Sequence, residues 1–137
     1  MSQILFTRQA TTTGGREGTV HNTLSGLELV LAKPQEMGGQ NTQGTNPEEL
    51  FSVGYSACFA SSIEFLAQQQ NIAYERLAVN AKTALVMEEQ GFKFALEVQV
   101  VLEGVTKEQK TELIQAAYHF CPYSKAIMGN VDVTFRD

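Results

Sequence analysis

A chain of 137 residues with 43% hydrophobic content is sized for one domain, 1–137. A domain of that size buries about two-thirds of the surface its unfolded chain exposes. The formal charge of −5, without a basic run, argues against a nucleic-acid partner. Two cysteines are too few for a secreted disulfide scaffold, and the opening MSQILFTRQA lacks the apolar core of a signal peptide, so a cytoplasmic, reducing setting is expected.

Residues 3–9 are expected to form a first strand, on weak alternation. Residues 11–15, TTTGG, read as a turn-rich loop that delivers Arg16. Residues 17–22 and 27–32 read as two strands joined around Ser25-Gly26, and 33–44, with Pro34, Gly38, Gly39 and Gly44, as loop.

A central helix is expected over 45–71, TNPEELFSVGYSACFASSIEFLAQQQN. Asn46 suits the N-cap, Pro47 the first helical position and Glu49 the capping-box acid. Leu50, Phe51, Val53, Tyr55, Phe59, Ile63, Phe65 and Leu66 put apolar side chains on nearly every side. A helix of that kind is expected to be buried all round. Serines and Glu64 interrupt it too often for a membrane span. Gly54 is a point where it could break, since glycine there costs about 1 kcal/mol against alanine.

Two strands follow, with period two through Leu77, Val79, Ala81, Thr83 and Leu85, and again from Phe92 to Leu102, joined by the hairpin MEEQG. Thr106 and Gln109 open a second helix with the stripe Leu113, Ile114, Ala117 and Phe120, and Pro122 ends it. Val131, Val133 and Phe135 make the last strand. The order βββαββαβ argues an α+β fold with mostly antiparallel sheets. A sheet covers one side of the central helix, so a second copy of the chain is expected on the other.

Two cysteines are the candidates for chemistry. Cys58 lies mid-helix and is expected to be buried, where most cysteines are inert packing. Cys121 sits at a helix end ahead of a proline and is expected to be the more accessible. They are 63 residues apart, so they can bridge only if the fold brings their Cα atoms within about 7 Å. Arg16 alone reads as a solvated arginine, and Glu48, spare beside the capping Glu49, as an acid favoured by the helix dipole. His21 and His119 have no context that would make either a hydrolase base. No cluster has metal-ligand spacing, and no glycine loop matches a nucleotide fingerprint.

Taken together, TGGREG (13–18), TNPEELFSVGYSACF (45–59) and CPYSKAIMGNVDV (121–133), with the Gly-Gly pair at 38–39, resemble the organic hydroperoxide resistance proteins, the Ohr branch of the Ohr/OsmC family. KAIMGN is more apolar than is usual there, and SGLELVL lacks the Asp-Gly turn expected before its strand. The resemblance implies an intertwined dimer whose central helices are wrapped by antiparallel sheets. It implies a peroxidatic Cys58, a resolving Cys121, and Arg16 held by Glu48. The implied activity is reduction of organic hydroperoxides to alcohols through a Cys58 sulfenate and a Cys58–Cys121 disulfide. An external dithiol, carried by a lipoyl-bearing protein, would recycle it, with no bound cofactor or metal and no membrane partner. Alternatives are an OsmC-branch peroxidase with another peroxide preference, or a non-catalytic dimer that binds apolar ligands.

An ordinary thiol, with a pKa of about 8.5, is only a few per cent thiolate at pH 7. A guanidinium about 4 Å away contributes up to roughly 4 kcal/mol at an effective dielectric of 20, before desolvation opposes it. Glu48 lies ten residues before Cys58, about 15 Å along a continuous helix, so it does not reach the sulfur directly.

Overall fold

The computed structural model describes residues 2–40 and 43–137 and divides into two compact units, Met1–Pro47 and Glu48–Asp137. The first holds a small antiparallel sheet of β1 (Thr11–Thr13), β2 (Thr19–His21) and β3 (Leu29–Val30), in that order. The strand expected over 3–9 is absent. Those residues are exposed, Ile4, Leu5 and Phe6 among them, and the weak alternation gave them no face to bury. The strand instead starts at Thr11, inside the stretch expected as loop, because its register with Thr19–His21 is closed by the turn that follows.

That turn is built from glycines. Gly14 adopts a φ of +86°, the Gly18 N–H donates to the Gly15 carbonyl at 2.9 Å, and a Cβ on Gly18 would run into the Thr13 carbonyl. Arg16 is carried on this turn and is half-buried. After β3 comes a 3-10 turn at Gln35–Met37, inside the stretch expected as loop, of which positions 41 and 42 lie outside the described residues.

The second unit is built on α1 (Pro47–Gln69), which begins at the proline and crosses the boundary between units at its first residue. It runs unbroken through Gly54, contrary to the break considered there. The glycine serves a close approach: a Cβ at 54 would overlap the ring of Tyr123. By length and composition alone α1 could span a bilayer. One stripe of it, Tyr55, Phe59, Ile63 and Ala67, is fully buried in the main cluster.

The expectation of burial on all sides does not hold within one chain. Tyr55, Phe59, Ser62, Ile63 and Ala67 form one buried stripe, while Val53 (58%) and Phe65 (45%) stay exposed on the rest of the helix.

The stripe packs with a three-stranded sheet ordered β4 (Arg76–Glu88), β5 (Gly91–Glu103), β6 (Asp132–Arg136). β4 and β5 pair antiparallel from Arg76↔Glu103 to Glu88↔Gly91, leaving a two-residue turn at Glu89-Gln90. The unbroken alternation of β5 places Leu96, Val98, Val100 and Leu102 in the core. β6 pairs with β5 in parallel, a departure from an all-hairpin sheet. A parallel neighbour requires a long crossover, and the connection supplies α2 (Lys107–Phe120) and α3 (Pro122–Ile127).

Thr106 and Gln109 form the expected capping box, with side-chain to backbone hydrogen bonds of 3.1 and 3.0 Å. Pro122 stops α2, since the residue before proline is pushed out of helical geometry, and then opens α3 as its first residue. Among the described residues the element order therefore contains one short α-helix and one 3-10 turn more than βββαββαβ.

Phe59 stacks on Tyr55 with ring centroids 5.8 Å apart, packs against Phe135, and is fully buried. Phe59→Ala is expected to lower unfolding stability by about 3–5 kcal/mol, read from the urea midpoint at an unchanged m-value.

Candidate active site

Cys58 and Cys121 meet in the second unit, their Sγ atoms 3.3 Å apart. The two are free thiols, and the fold, not sequence spacing, brings them together. Cys58 projects from the middle of α1. Cys121 is at once the last cap of α2 and the N-cap of α3, in an extended conformation (φ −64°, ψ 124°).

Their accessibility is the reverse of expectation. Cys121 is fully buried, whereas Cys58 is only half-buried. A proline-terminated helix end is exposed only if the chain leaves the core there. Here it turns back into the core through Ser124 and Ile127, both buried.

The surroundings of Cys58 favour the neutral thiol. Burial pushes its pKa up, the backbone N–H of Tyr123 opposes this by donating to the sulfur, and the adjacent Cys121 thiol adds to the rise.

Beneath the sulfurs lies a second polar pair that the sequence reading did not single out. Tyr55 Oη and Ser124 Oγ are 2.7 Å apart and both residues are fully buried. Desolvation pushes Tyr55 up to about 12, with the Ser124 hydrogen bond opposing it, so the tyrosine remains a neutral hydroxyl near pH 7. Tyr123 covers the same region, its ring edge-on to Phe51 and Tyr55 at 6.1 and 6.4 Å. The available signal was spacing: Tyr55 precedes Cys58 by three residues and Ser124 follows Cys121 by three, placing hydroxyls beside thiols on helical faces.

Glu48 lies in the first turn of α1, half-buried. Because α1 is continuous, the ten intervening residues put it about 15 Å along the axis from Cys58. Arg16 belongs to the first unit, on the glycine turn between β1 and β2. Among the described residues, no group of three or more His, Cys, Asp or Glu side chains could hold a metal ion.

Fold and site together define an α+β protein in which a thiol on the central helix faces a second thiol at the junction of two later helices. The family model for OsmC-like protein matches residues 38–136. Organic hydroperoxide resistance protein OhrA of Bacillus subtilis is 41% identical over 139 residues, covering 99% of this chain and 98% of its own. An organic hydroperoxide resistance protein from Legionella pneumophila superposes with a TM-score of 0.91 at 40% identity, covering 97% of each chain. Another, from Elizabethkingia anophelis, gives 0.92 at 38% identity, over 98% of this chain and 96% of its own. The chain belongs to the OsmC-like family, in the branch of the organic hydroperoxide resistance proteins.

A thiol held up by its surroundings keeps its proton more tightly folded than unfolded. Its contribution to stability is then full below the unfolded value of about 8.5 and is lost as pH rises through the folded value. Urea midpoints measured between pH 7 and pH 10 check this fall.

Proposed function

We propose that the protein is a thiol-dependent peroxidase that reduces organic hydroperoxides to alcohols. The observation that carries this reading is the 3.3 Å approach of the Cys58 and Cys121 sulfurs, in a chain whose relatives are named for organic hydroperoxide resistance.

Cys58 is the peroxidatic thiol because it is the one that solvent reaches. Its thiolate attacks the outer oxygen of ROOH; the O–O bond breaks, the sulfur is oxidised by two electrons to the sulfenate, and the alcohol leaves with a proton. The sulfenate takes up a proton from solvent, the Cys121 sulfur attacks the Cys58 sulfur, and the S–O bond breaks, forming the disulfide and releasing the oxygen as water with the Cys121 proton. An external dithiol returns both cysteines to thiols and is itself oxidised to a disulfide. Dihydrolipoyl groups on a protein partner fit that role. A reducing compartment such as the cytoplasm suits the cycle.

In this reading Arg16 is the cation that favours the thiolate. Its planar fork can donate to a carboxylate such as Glu48 along one edge and to the reacting oxygens along another. Charge alone, at half of the roughly 4 kcal/mol limit, raises the thiolate population by at most some thirtyfold. Orientation and hydrogen bonds to the breaking O–O bond supply the remainder. The cluster around Cys58, with Phe51 and Leu66 packed against the core, favours peroxides with hydrocarbon bodies, since each buried CH2 contributes about 0.8 kcal/mol.

The working unit is a homodimer. The face of α1 with Val53 and Phe65, and the stacked pair Phe65–Phe120 at 5.2 Å, are uncovered in the single chain. Sedimentation velocity at micromolar concentration is expected to give a two-chain species; a folded monomer would refute the dimer.

Cys58→Ser is expected to abolish consumption of cumene hydroperoxide. Cys121→Ser should keep the first step, lose the disulfide, and under excess peroxide carry Cys58 through sulfenic to sulfinic and sulfonic acid. Mass spectrometry of the Cys58 peptide reads this as successive oxygen additions, against loss of two hydrogens in the unmodified protein. An unchanged mass after one equivalent of hydroperoxide would leave an apolar-ligand binder. The opposite pattern in the two variants would reverse the assignment of the sulfurs.

A further inference from the structure

We propose that Tyr55 and Ser124 are positioning residues for the resolving step, their buried hydrogen bond holding the Cys121 segment so that its sulfur stays within reach of Cys58. The inference rests on the disulfide cycle proposed above.

Two links cross the seam between α1 and the segment after α2. One is the sulfur pair at 3.3 Å, the other the hydroxyl pair at 2.7 Å. Each α1 member of the second link lies three residues before its thiol, and each α3 member three residues after it, so the two links run side by side. Tyr55 is held rigidly: it stacks on Phe59 at 5.8 Å and on Phe51 at 6.2 Å, so its hydroxyl has little freedom to point elsewhere.

The segment needs such a tie. Cys121 interrupts the helix, and α3 has only six residues, too few to hold its shape by helix cooperativity. Its place depends on contacts to the core. Ile127 provides an apolar one, and Ser124 provides the polar one that also fixes direction. Pulling α3 away without admitting water would orphan two buried hydroxyls, which makes displacement unfavourable. The bond therefore opposes drift of Cys121 during the interval when Cys58 is a sulfenic acid. In that interval the Cys121 sulfur must attack the Cys58 sulfur, the S–O bond must break, and the departing hydroxide must leave as water with the Cys121 proton. A Cys121 held off by even a short distance leaves the sulfenate open to a second hydroperoxide.

The test compares the unmodified protein with Tyr55→Phe, Ser124→Ala and the double variant, using one equivalent of cumene hydroperoxide in rapid-quench experiments. Consumption of the hydroperoxide reads the first step; intact mass and dimedone capture of the sulfenic acid read the second. Either single variant is expected to consume hydroperoxide at the parent rate while closing the disulfide about fivefold to tenfold more slowly, the scale of one lost hydrogen bond. Dimedone-labelled Cys58 should rise accordingly.

The double variant separates positioning from stability. Removing both hydroxyls leaves no orphan, so its thermal midpoint is expected to recover towards the parent value while disulfide closure stays slow. Closure that recovers together with stability would make the pair a structural element only and overturn the inference. Closure at the parent rate in every folded variant would overturn it as well. A parent protein that consumes hydroperoxide without forming any disulfide would overturn the cycle itself, and this inference with it. Should one single variant fail to fold, the other and the double variant carry the same comparison.

Discussion

The seam between α1 and the Cys121–Ile127 stretch is the interaction on which the site depends. α1 presents Tyr55 and Cys58 on neighbouring positions of one face, and the returning chain meets them with Ser124 and Cys121. Neither thiol has a reactive partner without that meeting. The seam also sets an asymmetry: Cys121 is closed off from solvent while Cys58 is not.

What holds the seam in place is the sheet beneath it. β5 is the central strand, and its inward residues Leu96, Val98, Val100 and Leu102 share one core with α1, α2, Cys121 and the end of α3. The crossover that makes β6 parallel to β5 is what carries Cys121 back to the helix. A hairpin between the last two strands would have been shorter and would have left no segment to return. Pro122 contributes twice, ending α2 at the cysteine and starting α3 beyond it.

The electrostatics at the sulfur pair work against a thiolate. Burial and the neighbouring thiol favour a neutral Cys58, and the backbone N–H of Tyr123 is the group of its own unit that opposes them. Arg16 is carried on a separate turn of the first unit, whose glycines permit a tight loop.

Local pattern determined much of this protein. Alternation over Phe92–Leu102, the Thr106/Gln109 capping box, Pro47 at the head of α1 and the stop at Pro122 were each legible because they depend on neighbours a few residues away. The motifs around Arg16, Glu48, Cys58 and Cys121 likewise identified the family from sequence. Three matters were settled only by the tertiary structure. The exposure of the two thiols was inverted, because burial depends on where the chain goes after Cys121 and not on its place at a helix end. Gly54 was a site of close approach by a ring sixty-nine residues away, not a hinge, and no local window contains Tyr123. The Tyr55–Ser124 pair, also separated by sixty-nine residues, became a hydrogen bond only when the β5–β6 crossover folded one segment onto the other. Periodicity encodes which face of an element is apolar; which distant residue meets that face is decided by topology, and the chemistry of this chain lies in those meetings.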